Sequence, residues 1–142
     1  MYKLSKGSNK KLNTCHTDLQ IIMREAIGSS IIDFGISEGH RDLETQRKHF
    51  KNKKSTCDGI NRKSKHQSNP SLAVDIYAFY NGAAQWDDIH LAYLGGHIMY
   101  VAAELYSYGE VTHKLRWGAN WDGDGILVYD HTLKDLPHFE LV

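Results

Sequence analysis

Leu72-Ala73-Val74-Asp75-Ile76-Tyr77-Ala78-Phe79-Tyr80 is an apolar and aromatic run interrupted by one charge, Asp75. Its β-branched and aromatic content predicts a strand over residues 72–80, and Asn81-Gly82 supplies a turn directly after it. Alternation places Val74 and Ile76 on one face and Ala73, Asp75 and Tyr77 on the other. A carboxylate buried there without a partner costs several kcal/mol. Either Asp75 lies on a solvated face, or a cation sits beside it.

Nine residues upstream stands His66, in Ser64-Lys65-His66, and near the C-terminus comes Asp135-Leu136-Pro137-His138-Phe139-Glu140. Two histidines and one carboxylate are a donor set that holds zinc and leaves one coordination position open, as a catalytic site requires. Asp135 lies three residues before His138, where a second acid could serve an activated water. Glu140 is one strand step beyond His138 on the same face, placed to accept the other ring N–H of a liganding histidine. The chain has nine histidines, and His16, His40, His49, His90, His97, His113 and His131 show no comparable grouping.

Other elements follow from periodicity and capping. Leu19, Ile22, Met23 and Ala26 share one face of a helix over 17–27, with Thr17 as its cap. Ile32, Phe34 and Ile36 alternate in a strand over 31–37. Asp42 caps a helix over 43–51. Residues 52–69 show no period and read as a long loop, a kind that is usually functional or disordered. Asp87 or Asp88 starts the longest helix, reaching about Tyr108, with Gly95-Gly96 inside it implying close packing against a sheet. Strands are expected over 115–117 and 136–142, separated by a Gly/Asp-rich loop over 118–130 in which Asp122-Gly123-Asp124-Gly125 reads as a turn. The order predicts an α+β fold, a small antiparallel sheet with helices packed on it, in one domain spanning 1–142.

At 142 residues the chain is long enough to bury a core without a disulfide framework. Its two cysteines, Cys15 and Cys57, form no CxxC pair. The formal charge is zero, and no helix-turn-helix or aromatic-interleaved basic surface is evident, so no nucleic-acid partner is expected. A basic stretch nevertheless precedes the His66 motif: Arg47, Lys48, Lys51, Lys53, Lys54, Arg62, Lys63 and Lys65. It reads either as a solvated loop or as a surface for an anionic polymer. No apolar segment follows the basic N-terminus and no run suits a membrane span, so neither a signal peptide nor a transmembrane helix is expected.

Ser64-x-His66 followed by Ala73-x-Asp75 resembles the SxHxxGxAxD motif of zinc peptidases that cut peptidoglycan stem peptides, and Asp135-Leu136-Pro137-His138 resembles their acid-x-x-His element. The similarity extends over nearly the whole chain, through Gly39-His40-Arg41, Gln46 and Trp117-Gly118-Ala119-Asn120-Trp121, and is greatest to phage endolysins of the L-alanyl-D-glutamate peptidase type. The resemblance implies a hedgehog/D,D-peptidase-like fold with a zinc ion held by His66, Asp75 and His138. It implies Asp135 as catalytic base, Arg41 as the cation near the scissile carbonyl and Ser64 as a loop-ordering group. Gln46, Glu140, Trp117 and Trp121 become supporting or substrate-contacting candidates. The His66–Asp75 interval is two residues longer than the motif, through Gln67-Ser68-Asn69-Pro70-Ser71, and the motif glycine is missing.

The function implied is hydrolysis of the L-Ala–D-Glu bond by a monomeric lysis enzyme. It would stay in the host cytoplasm until a holin partner opens the membrane, then act on the cell wall. A D,D-carboxypeptidase or D-Ala-D-Ala dipeptidase with the same zinc site is the rival enzyme. A zinc-stabilised wall-binding domain without turnover is the non-enzymatic rival, disfavoured because a structural metal needs neither Asp135 nor Arg41.

Overall fold

A computed structural model describes residues 1–127 and 134–142 of the chain. The helices are α1 (Lys6–Leu12), α2 (Thr17–Ser29), α3 (Leu43–Lys51) and α4 (Asp88–Ser107). The strands are β1 (Phe34–Glu38), β2 (Ala73–Tyr80), β3 (Ala83–Gln85), β4 (Leu115–Trp117) and β5 (His138–Leu141), with one 3-10 turn at Lys65–Gln67. All strand pairings are antiparallel, in the order β1-β2-β5-β4. β3 closes a hairpin on the C-terminal half of β2, while β5 pairs with its N-terminal half. The α+β fold expected from the sequence is the one formed.

One face of β2 makes the core. Val74, Ile76 and Ala78 are fully buried together with Ile22, Met23 and Ala26 of α2 and Leu94 and Ile98 of α4. Each large aliphatic side chain sequestered this way contributes about 1.5–3 kcal/mol. Gly95 is required on α4, because a Cβ there would fall 2.1 Å from the ring of Trp117. Gly96 meets nothing within 4 Å, so the packing reason covers only the first of the two glycines.

Several boundaries differ from the sequence reading. α2 is capped by His16, whose Nδ1 accepts the Asp18 N–H at 3.0 Å, and Thr17 is already helical. The strand expected from residue 31 begins at Phe34, since Ser30 Oγ bonds both the N–H and the carbonyl of Ile32 and holds that stretch in a turn. α1 and β3 have no counterpart in the sequence reading. α3 begins and ends as predicted, with the Asp42 carboxylate accepting from Thr45 N at 2.7 Å. Asp87, the first of the two residues named, caps α4. Part of the expected 118–130 loop, and His131, lie outside the described residues.

Candidate metal centre and active site

The sheet register assembles the site. Glu38 of β1 stands opposite Asp75 of β2, and Asp75 stands opposite His138 of β5. Cross-strand partners share a face, so three strands present Glu38, Asp75 and His138 side by side, away from the Val74/Ile76 face. Glu140 follows two residues after His138, opposite Arg116 of β4. His66 enters from the 3-10 turn. Ser64 caps that turn, accepting from His66 N and completing a capping box with Gln67. The longer His66–Asp75 interval is taken up beside α1 and α2, where Ser71 N donates to Thr14 O and His16 N to Ser71 O.

Three donor atoms converge. His138 Nδ1 lies 3.0 Å from Asp75 Oδ1, and His66 Nε2 lies 3.3 Å from each of them. The outer ring nitrogens are committed elsewhere: His66 Nδ1 donates to Gly39 O at 2.8 Å and His138 Nε2 to Glu140 Oε1 at 2.9 Å. Those tautomers leave lone pairs on both inner nitrogens. Ligands bound tetrahedrally at 2.0–2.1 Å stand roughly 3.4 Å apart, so the observed spacing fits a zinc-sized cation. Both histidines are buried. The donor chemistry, His₂Asp with outer hydrogen bonds, is that of a site with an open position.

Burial works against charging His138, but hydrogen bonds to Asp75 and Glu140 outweigh it and push its pKa up to about 10. Burial likewise opposes the Asp75 carboxylate, yet the facing His66 and His138 hold it far below the usual range. Glu140 is brought down to about 2: its hydrogen bonds from His138 and Arg116 overcome desolvation.

Arg41 is buried. Its Nε and one terminal nitrogen grip Glu38 at 2.7 and 2.8 Å, and the other terminal nitrogen donates to Gln46 Oε1 at 2.6 Å. It stands 3.8 Å from Asp75 Oδ2. Gln46, fully buried, passes the connection on to Ser55 Oγ and the Cys57 carbonyl. Asp135 has one carboxylate oxygen 4.0 Å from His138 Nδ1. Its backbone is pinned by Asp135 N to Gly118 O at 3.0 Å and His138 N to Asp135 O at 3.1 Å. Burial, then the Asp75 charge, raise the Asp135 pKa above the ordinary carboxylate value. Glu38, Arg41, His66, Asp75, Asp135, His138 and Glu140 border one cleft of about 890 Å3.

The whole chain, residues 1–142, matches the family model of the phage L-alanyl-D-glutamate peptidases. The chain belongs to this family. Its members are named for hydrolysis of the L-Ala–D-Glu bond, the activity that this chain therefore carries. It is 30% identical over 145 residues to the L-alanyl-D-glutamate peptidase of Escherichia phage T5, an alignment that takes in 99% of this chain and 98% of that protein. The crystal structure of the Serratia marcescens L-Ala D-Glu endopeptidase ChiX superposes with a TM-score of 0.75 at 27% identity, over 99% of this chain and 90% of that one.

For this peptidase the two tryptophans of the sequence motif separate. Trp117 is core: its Nε1 donates to Leu136 O at 2.8 Å and its ring stacks on Phe139. Trp121 borders the cleft, 5.3 Å from the His138 ring. Two contributors escaped the sequence reading. Glu38 clamps Arg41, and only its Glu-x-x-Arg spacing hinted at that. Trp86 borders the cleft from just beyond β3, its ring tilted against that of Tyr77; nothing in its local sequence marked it.

A second His/Asp grouping corrects the expectation that the other histidines stand apart. His16, Asp18 and His113 bring ligand-type atoms within 4.8 Å of one another. Asp18 Oδ2, however, already accepts from Thr112 N, Thr112 Oγ1, His113 N and His113 Nδ1 at 2.7–3.1 Å. His16 Nδ1 is spent on the α2 cap. This cluster fastens the segment before β4 to the start of α2.

Proposed function

We propose that the chain performs its peptidase reaction as a zinc enzyme, with His66, Asp75 and His138 as metal ligands. The observation that carries this reading is the trio of inward lone pairs 3.0–3.3 Å apart, beside an acid that binds none of them closely. Bound there, zinc supplies Lewis-acid polarisation of the amide carbonyl and activation of a water.

Asp135 takes the proton from the attacking water and returns it to the departing amine of D-glutamate. Its raised pKa moves it toward the working pH, where a base also serves as the following acid. Arg41, beside Asp75 at the same cleft, stabilises negative charge developing on the carbonyl oxygen. A preorganised donor of this kind contributes about 3 kcal/mol. Glu38 and Gln46 hold the guanidinium in place, so Arg41 spends little entropy on reaching the reacting atoms. Glu140 orients His138, and Trp121 covers one side of its ring. Trp117 has no part beyond packing.

In this reading the protein is a monomeric phage endolysin. It is held in the host cytoplasm, released to the wall through a holin lesion, and acts on peptidoglycan. No helix among the described residues is long and apolar enough to cross a membrane, which fits dependence on a separate membrane partner. Mass spectrometry of purified wall fragments after digestion, with and without chelator, tests the assignment. New amino termini on glutamate that vanish with chelator and return with zinc support it. Released D-alanine would select a D,D-carboxypeptidase, and no product in either sample would leave a binding module.

A further inference from the structure

The cleft is unevenly charged. Its acids are engaged: Glu38 with Arg41, Asp75 with the two histidines, and Glu140 with His138, Arg116 and Lys65. Asp135 is the proposed base. Lys54, Arg62 and Lys63 also border the cleft, yet among the described residues no carboxylate lies within ion-pair distance of any of them. Cations left unmatched in a concave site focus a positive potential on whatever enters it.

The segment that carries them is built. The Asp58 carboxylate accepts from the backbone N–H groups of Ile60, Asn61 and Arg62, each at 2.9 Å. Gly59, at φ +89°, turns the chain where a side chain would be strained, and its N–H returns to Arg62 O at 3.0 Å. Gln67, next to His66, donates to Gly59 O at 3.0 Å. At the other end Gln46 holds Ser55 and Cys57. The three cations therefore hang on a backbone braced against the turn that supplies a metal ligand and against the residue that holds Arg41.

Substrate chemistry says what such a surface would read. Glutamate has two carboxyl groups and one amine. In the L-Ala–D-Glu bond the amine is the scissile one, and the peptide continues through one carboxyl at most. The other is a free carboxylate a few bonds from the nitrogen that leaves, unless the wall carries it as an amide. The alanine side offers no such charge.

We propose that Lys54, Arg62 and Lys63 form a carboxylate-reading subsite for the unsubstituted carboxylate of the D-glutamate residue on the leaving-group side of the cut. This deepens the peptidase reading above and rests on it. A peptidase so built distinguishes walls with free glutamate from walls in which that carboxyl is amidated.

The test uses two synthetic stem peptides that differ only in whether this carboxyl is free or amidated. kcat/KM is measured at low ionic strength with the zinc-loaded full chain, with Arg62→Ala/Lys63→Ala, and with Lys48→Ala as an exposed cation outside the cleft. The unaltered protein is expected to favour the acid peptide about tenfold, the size of one charge-assisted hydrogen bond. The double variant is expected to lose that preference, and its zinc content and circular dichroism, equal to those of the unaltered protein, report an intact fold. Lys48→Ala keeps the preference, and Arg62→Glu reverses it. Equal cutting of both peptides by the unaltered protein overturns the subsite and leaves the peptidase reading standing. So does a preference that survives the double variant, or one that Lys48→Ala removes equally. Cutting of neither peptide overturns the peptidase reading and the subsite together.

Discussion

Among the described residues two clusters bring together two histidines and one aspartate, and only one of them leaves its inward acceptors unfilled by backbone or hydroxyl donors. In the His66/Asp75/His138 cluster the outer nitrogens donate to Gly39 O and Glu140, so the inner atoms face one another as unshared lone pairs. In the His16/Asp18/His113 cluster the inward acceptors are filled by Asp18 N, Thr112 and His113. Composition and proximity are alike; what separates them is where the remaining hydrogen bonds go. Acceptors already supplied with N–H groups have no electrostatic need of a cation.

The sharpest way to break this comparison is to remove one histidine from each cluster. His138→Ala is expected to abolish stoichiometric zinc and turnover together, read by elemental analysis and a wall-digestion assay. His113→Ala is expected to keep one zinc per chain and full activity, losing about 1 kcal/mol of stability through its bond to Asp18. Zinc lost equally from both proteins would show that the hydrogen-bond distinction is wrong. Asp135→Asn comes next. It retains zinc, since it is 4.0 Å from the nearest donor, but kcat falls by about 10²–10⁴ for want of a proton acceptor. Turnover at the original level in that variant removes the base.

Glu140→Gln tests the outer bond alone. Its expected effect is a 10–100-fold weaker zinc affinity, as for other partners of liganding histidines, measured by competition with a chromogenic chelator. The smallest effect belongs to the capping cluster. Burial raises the Asp18 pKa, but hydrogen bonds from His113 and Thr112 outweigh it and leave it below 3.8. A folded-state pKa below the unfolded one stabilises the protein above about pH 3.8, and that stability fades as pH falls through the lower, folded value. Asp18→Asn should therefore cost about 2 kcal/mol at pH 7 and progressively less in acid, seen in urea midpoints taken from pH 7 to pH 2. A cost that does not change with pH would place the Asp18 effect in packing instead of charge.

The His66/Asp75/His138 grouping was legible because its parts disturbed their surroundings in sequence. Asp75 broke an apolar strand, and His138 and Glu140 sat at strand spacing after Asp135. The capping cluster was silent: Asp18 and His113 meet across 95 residues, and neither neighbourhood carries a pattern. Among the elements, α3 was predictable to the residue because Asp42 caps it and a basic turn ends it. α1 was not, since Lys6-Gly7-Ser8-Asn9-Lys10-Lys11-Leu12 has one aliphatic side chain and no period; it is held by the Ser5 cap and by Ser8, whose hydroxyl accepts from Ile36 N at 3.0 Å. Three-residue β3 depends on its hairpin partner. Arg41 could be flagged as a cation near the chemistry, but its burial arises only when Glu38 of β1 and Gln46 of α3 close on its guanidinium.

Gly118 has a use in engineering. Its carbonyl receives Asp135 N, its N–H goes to His138 O at 2.8 Å, and a Cβ on it would strike Asp135 O at 2.1 Å. The backbones at 118 and 135 are therefore tied to each other. Segments of other lengths, borrowed or designed, could be spliced in between those ties to retarget the enzyme to different walls while Asp135 stays beside His138.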